Sequence, residues 1–403
     1  EGAIAGGFDF NHQWANRTWV LSGDVEGSRV SGSAAAITRT QRQSNHFFQR
    51  PDADHLDFDT TATSLSGYSM NATLRKQGGL HWRGSVAAAI TSPGYETNDL
   101  GFSYRTDRRD AQIGVQYVEN QPGKFLRNWS VNNTYRVEHN FDWERILSVA
   151  TVSTNARTLG YWNLHAFTQL YFPALDDRLT RGGPIAKRPG WVSSGVFLSS
   201  DSRKPLSGSI FLGGERHQYG SWVTTTELNA VVRTSSRWNL TVGPTLFRRH
   251  ASAQFVFSQP DTAYTPTFGR RYVFAPLDQT ELSLVTRFNW TFTPRLSLET
   301  YAQPLISTGD YGDPKQLRAA RTYDFIAYTQ QAPDLDFNFR SLRGNAVLRW
   351  EWRAGSTIYF AWQQSRRDIA PFGDFSLGRD RRALFGTAPD NIFLVKMNYW
   401  LNP

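Results

Sequence analysis

Segment after segment of this chain alternates apolar and polar residues for about ten positions and then breaks at turn residues. From Ser283 to Phe292, Leu284, Phe288, Trp290 and Phe292 fall on one side, and Val285, Arg287, Asn289 and Thr291 on the other. Successive strand side chains point to opposite faces, so a period of two reads as a strand with one greasy and one wet face. After Thr293-Pro294-Arg295 the code resumes, with Leu296, Leu298 and Ala302 opposite Ser297, Glu299, Tyr301 and Gln303. Trp222, Leu228, Ala230 and Val232 oppose Glu227, Asn229 and Arg233, and Phe125, Trp129, Val131, Tyr135 and Val137 oppose Asn128, Ser130, Asn132, Thr134 and Arg136.

Such a pattern admits a soluble sheet or a membrane barrel, and composition favours the barrel. Hydrophobic residues are 39% of the chain, yet aromatic residues reach 14%, with 14 Trp, 16 Tyr and 27 Phe. A soluble core is built mostly from aliphatics, whereas a barrel needs an outward apolar band with aromatic girdles around a polar interior. No apolar run approaches the ~18 residues of a spanning helix. Cysteine is absent, which removes disulfides, thiolate metal sites and thiol nucleophiles. Net charge is +9, carried almost wholly by Arg, since Lys occurs only at Lys76, Lys124, Lys187, Lys204, Lys315 and Lys396. Scattered Arg, without Lys-rich clusters, suits a lumen in which guanidinium pairs with carboxylates and stacks on aromatics, and speaks against nucleic acid. No export signal opens the chain at Glu1; one is expected upstream or already removed.

Longer polar stretches at Asn45 to Thr60, Pro173 to Gly190, Gln259 to Arg270, Thr308 to Ala320 and Asp368 to Asp390 read as surface loops. The expectation is one all-β domain over 1–403, an antiparallel up-and-down transmembrane β-barrel of about 16 strands, roughly 14 to 18. Short turns would face the periplasm and long loops the exterior. The segment Asn391 to Leu401, with Tyr399-Trp400 near its end, is the expected closing strand.

Asp336-Phe337-Asn338-Phe339-Arg340-Ser341-Leu342-Arg343-Gly344-Asn345 continues through Arg349-Trp350-Glu351-Trp352-Arg353-Ala354-Gly355-Ser356. With Asn98-Asp99-Leu100-Gly101-Phe102, Arg105-Thr106-Asp107 and the ending Ile392 to Trp400, this block resembles an outer-membrane family of unknown function. The resemblance implies an N-terminal domain similar to carbohydrate-binding module family nine, followed by a large barrel. The present chain resembles the barrel part.

In the same block Arg343, Asn345, Arg349, Glu351 and Arg353 share one face, and Leu342, Ala346, Leu348, Trp350 and Trp352 the other. A charge on the lipid side costs about 2–4 kcal/mol near mid-bilayer, so the Arg face is expected to point inward. Arg349, Glu351 and Arg353 would then form an ion-pair ladder. Arg287, Arg343, Arg349 and Arg353 are expected to make the lumen positive, and Tyr301 and Tyr359 to stack on sugar rings. Together with Glu351 they are the candidate solute contacts.

Other chemistry is thin. Asp52-Ala53-Asp54-His55-Leu56-Asp57-Phe58-Asp59 offers four carboxylates but lacks the Gly and terminal Glu of an EF-hand, so a solvated loop is expected. His250-Ala251-Ser252 places imidazole and hydroxyl two apart, as outer-membrane phospholipases do. Taking Ala253, Phe255 and Phe257 as lipid-facing turns His250 and Ser252 inward, away from lipid, and no catalytic residue is expected. No metal spacing or nucleotide loop occurs, and no cofactor is expected.

The functional expectation is a porin-like channel or uptake component in a Gram-negative outer membrane, handling oligosaccharide-like or anionic solutes. The alternatives are a non-conducting barrel that anchors a binding domain or complex, and an outer-membrane hydrolase. Expected partners are the lipid bilayer, lipopolysaccharide, such a solute and other envelope proteins.

Overall fold

The computed structural model describes residues 2–97, 101 and 103–401. Its first strands are β1 (Gly2–Trp14), β2 (Trp19–Ser31), β3 (Ser64–Lys76), β4 (Trp82–Thr91), β5 (Arg108–Glu119), β6 (Leu126–His139), β7 (Arg145–Thr158) and β8 (Asn163–Tyr171). Then come β9 (Ala174–Asp176), β10 (Ala186–Arg188), β11 (Trp191–Ser199), β12 (Leu206–His217), β13 (Trp222–Ser235), β14 (Trp238–Pro260), β15 (Arg270–Thr293) and β16 (Leu296–Tyr311). The last are β17 (Lys315–Leu317), β18 (Phe325–Ala327), β19 (Phe337–Arg353), β20 (Ser356–Ala370) and β21 (Asp390–Asn398). Two short helices, α1 (Ala34–Gln41) and α2 (Leu377–Gly386), lie in connections.

Among the described residues seventeen strands, β1–β8, β11–β16 and β19–β21, each pair antiparallel with the next in one meander. This falls within the expected range of strand counts. Among the described residues β1 pairs only with β2 and β21 only with β20, so these two are the edges of the sheet. Asn391 to Asn398, expected as the closing strand, lies on an edge. Among the described residues no helix is long and apolar enough to cross a membrane.

Connections differ between the two ends. At one end 15–18, 77–81, 120–125, 159–162, 200–205, 236–237, 294–295 and 354–355 are all short. Gly355, at φ 77, supplies the left-handed backbone that its two-residue turn requires. At the other end 32–63, 92–107, 172–190, 312–336 and 371–389 are long.

Register carries the apolar face across strands. One row runs Trp238, Trp290, Leu298, Leu348, Phe360 and Val395 from β14 to β21. Another runs Leu21, Leu74, Val86 and Ile113 from β2 to β5. On β16 this face reads Leu296, Leu298, Thr300, Ala302, Pro304 and Ile306 before turning polar at Thr308 and Asp310. Ten residue steps at about 3.4 Å, tilted by roughly 40°, rise about 26 Å, close to the height of a bilayer's hydrocarbon band.

Beyond this band the long-loop end packs on itself. The β14–β15 hairpin overshoots its neighbours, with strands of 23 and 24 residues. Its tip joins Ala186, Tyr272, Phe274 and Leu317 in a buried core, against which Leu179, Ala253, Phe255 and Phe325 pack. Burial of side chains such as Phe274 and Leu317 contributes about 1.5–3 kcal/mol each. Phe48, Ala53 and Leu56 form a second cluster in the 32–63 connection. Ser33 caps α1 by accepting from the Ala36 N–H at 3.2 Å. Helix α2 is pinned to β19 through buried Asp380, which accepts from Asn338 Nδ2 at 3.1 Å and Arg379 Nε at 2.8 Å.

Candidate functional site

The polar face is the candidate site, and register shows how its side chains are held in rows. Thr241, Arg287, Tyr301, Asn345 and Gln363 lie side by side across β14, β15, β16, β19 and β20. A parallel row runs Thr291, Ser297, Arg349, Tyr359 and Lys396. Gln303, Arg343 and Ser365 make a third. Six of the seven candidate residues, Arg287, Tyr301, Arg343, Arg349, Glu351 and Tyr359, therefore share one wall, as the alternation implies. The Arg287 guanidinium sits 5.4 Å from the Tyr301 ring centroid, a cation–π contact, and the Tyr301 hydroxyl donates to Gln303 Oε1 at 2.6 Å.

The ion-pair ladder forms only in part. Arg349 Nη2 lies 3.6 Å from Glu351 Oε2. A register shift between Glu351 and Arg353 breaks the alternation, and Arg353 donates to the Tyr399 hydroxyl at 2.9 Å. Glu351 uses its other oxygen to accept from the Gly355 N–H of the turn at 3.1 Å.

Over the long-loop end of the wall lies a polar knot. Buried Asp177 takes a two-pronged bond from Arg105, Nη2 to Oδ2 at 2.7 Å and Nη1 to Oδ1 at 3.1 Å. Arg50 approaches Asp177 at 3.6 Å, and Arg105 Nε lies 3.1 Å from Glu138. Burial alone pushes the Asp177 carboxyl up, but the guanidinium groups of Arg105, Arg178 and Arg50 outweigh it and hold it below the ordinary carboxylate range. Burial brings Arg178 down to about 10, against the pull of Asp177.

His55 bridges Asp107 Oδ1 at 2.9 Å and Asp142 Oδ2 at 2.6 Å. Burial pulls its imidazole down, yet bonds and charge from Asp107 and Asp142 prevail and raise it above the usual histidine value. The Asp52–Asp59 run is split: Ala53 and Leu56 pack into the cap and Asp52 and His55 bond within it, while Asp54, Asp57 and Asp59 stay exposed as expected of a solvated loop. Asp52 accepts from the Ile185 N–H at 2.6 Å, and Asp59 from the Thr61 N–H at 2.7 Å. No group of three acidic, His or Cys side chains among the described residues could hold a metal ion.

Two expectations for β14 are corrected. His250 continues the apolar-face series of Trp238, Leu240 and Leu246, where its Nδ1 meets Asp278 Oδ1 at 2.9 Å. Register shifts at Ala251/Gln254 and Phe255/Phe257 then change the phase of the strand. Ser252 consequently bonds Ser221 Oγ at 2.9 Å, and Ala253 and Phe255 pack into the cap core and do not face outward as expected.

One feature of the apolar face is visible only once the turns are placed. Trp14, Trp19, Trp82, Tyr117, Trp129, Trp238, Trp290 and Trp350 all lie on it beside the short turns. Trp14 and Trp19 stack at 6.4 Å, and Tyr117 contacts Trp82 at 5.1 Å and Trp129 at 5.2 Å. Trp14, Trp82, Trp290 and Trp350 remain 39–58% exposed. Asn98, Asp99, Leu100 and Phe102 lie outside the described residues.

No curated protein sequence matches the chain. Among solved structures, the siderophore receptor PirA from Acinetobacter baumannii overlaps 98% of this chain and 70% of its own, at 8% identity and a TM-score of 0.42. The ferric enterobactin receptor PfeA from Pseudomonas aeruginosa overlaps 99% and 71%, at 9% identity and 0.40. A bacterial polysaccharide outer membrane secretin overlaps 82% and 89%, at 12% identity and 0.31. A family model of a domain of unknown function, DUF5916, matches residues 13–402, nearly the whole chain, and the protein belongs to that family.

Proposed function

We propose that this sheet closes into a transmembrane β-barrel of a Gram-negative outer membrane and serves as a porin-like uptake component for anionic, hydroxyl-rich solutes. The observation that carries the reading is the asymmetry of the two faces. Trp and Tyr side chains rim the apolar face beside the short turns, where amphipathic rings favour a membrane interface, while the other face is lined by Arg, Asn, Gln, Glu and Tyr. Arg287, Arg343 and Arg349 give that wall its positive potential, and Tyr301 and Tyr359 offer rings to a sugar. The carbohydrate-binding domain implied by the family resemblance would deliver such solutes.

A second reading is a non-conducting barrel that anchors other envelope components. It is favoured by the packed cap, since Asp177, Arg105 and the Phe274 core join loops from most of the long-loop end. Planar-bilayer recording separates the two. The uptake reading expects steady open conductance, or conductance gained when the 172–190 connection is shortened; a bilayer silent with both proteins leaves the anchoring reading.

A further inference from the structure

A recess of about 350 Å³ opens on the wall near the short-turn end, away from the cap and from the candidate residues of β15 to β20. On the polar face it is lined by Arg75, Arg83, Ser85, Gln116, Asn132 and Thr134. Arg75 pairs with Ser85 across β3 and β4, and Arg83 lies two residues before Ser85 on the same face. The two guanidinium-bearing residues are therefore diagonal neighbours, with backbones about 7–8 Å apart.

Among the described residues the arginines of this recess, like Arg287 and Arg343 elsewhere on the wall, are left without a carboxylate. Arg105, Arg136 and Arg271 meet carboxylates at 2.5–2.7 Å, whereas among the described residues neither Arg75 nor Arg83 has an ion-pair partner. Arg83 also buries its Nε with no protein acceptor. The floor of the recess is Gly114, where a Cβ would come within 3.1 Å of Ser85 Oγ and 3.4 Å of Thr134 Cγ2. Glycine there keeps the wall indented.

Two unpaired planar forks call for an oxyanion with bidentate geometry. The amides of Gln116 and Asn132 and the hydroxyls of Ser85 and Thr134 supply paired donors and acceptors, which suit vicinal sugar hydroxyls better than a bare inorganic anion. We propose that this recess is a binding subsite for a carboxylated saccharide, with Arg75 and Arg83 holding the carboxylate. The inference rests on the reading of this wall as solute-facing, but its test does not require conduction.

The test is calorimetric titration of the full chain in detergent micelles with a galacturonic acid trimer, with maltotriose and inorganic sulfate as comparators. Binding of the acidic trimer is expected, with maltotriose and sulfate each at least ten-fold weaker. Arg75→Gln and Arg83→Gln should each weaken trimer binding about ten-fold or more, because each removes a charge-assisted bond. Arg237→Gln, exposed in the 236–237 turn, should leave it within about two-fold. A wild-type chain that does not bind the trimer, sulfate bound as tightly as the trimer, or undiminished binding when Arg75→Gln and Arg83→Gln are combined would each overturn the proposal. Flotation of the same preparations with lipid vesicles reads the membrane assignment separately, so failure of one is distinguishable from failure of the other.

Discussion

Arg105 and Asp177, 72 residues apart in sequence, close a two-pronged ion pair between the 92–107 and 172–190 connections. A long-range pair of this kind turns separate loops into one cap. Removing a single partner of a buried pair leaves a bare charge, which costs about 3–5 kcal/mol. Asp177→Asn should therefore loosen both connections while leaving the sheet paired, seen as faster hydrogen exchange confined to the cap. Arg105→Met combined with Asp177→Leu should restore most of the protection, since neither charge remains.

The cap should also answer to pH. His55 has a raised value when folded, so its bonds to Asp107 and Asp142 contribute fully below the unfolded histidine value of about 6.5 and fade as pH rises through the folded value. Asp177 is lowered, so its contribution holds above the ordinary carboxylate value and is lost as pH falls through the folded one. Protease resistance of the loops should peak between these limits. His55→Asn should flatten the alkaline limb and leave the acidic limb in place.

Opposite faces of one strand should respond oppositely to the same substitution. Ala302 sits mid-band on the apolar face between Thr286 and Gly344, and Gln303 is its neighbour on the wall beside Arg343. Ala302→Arg should destabilise folding into vesicles by about 2–4 kcal/mol. Gln303→Arg should change it by less than about 0.5 kcal/mol. Urea titrations in lipid, read by tryptophan fluorescence, give both values.

If the wall conducts, its arginines set ion preference. Arg287, Arg343 and Arg349 replaced together by Gln should lower the anion-to-cation permeability ratio at least about two-fold. The reversal potential across a potassium chloride gradient measures this.

Period two made the two faces legible, because Leu284, Phe288 and Trp290 repeat at a spacing that only a strand can place on one side. The residues of the wall followed from the same rule. What escaped the sequence lies where the rule stops. Two register shifts on β14 move Phe255 into a core with Phe274, and a bulge carries no composition signal of its own. Leu317 and Ala186 meet that core from distant connections, and Asp177 finds Arg105 by tertiary packing alone. The tryptophan rim was recoverable in principle, since Trp14, Trp19, Trp82, Trp238 and Trp290 all stand within a few residues of short turns.

Spin labels placed singly at positions 297 to 303 of β16, in protein reconstituted into lipid vesicles, give the most direct test of the sheet's environment. Accessibility to oxygen, which partitions into hydrocarbon, should peak at Leu298, Thr300 and Ala302. Accessibility to a water-soluble nickel chelate should peak at the positions between them. Equal access of the chelate to both sets, or exclusion of both reagents from Leu298, Thr300 and Ala302, would mean that water or protein covers that face, contradicting a lipid-facing sheet.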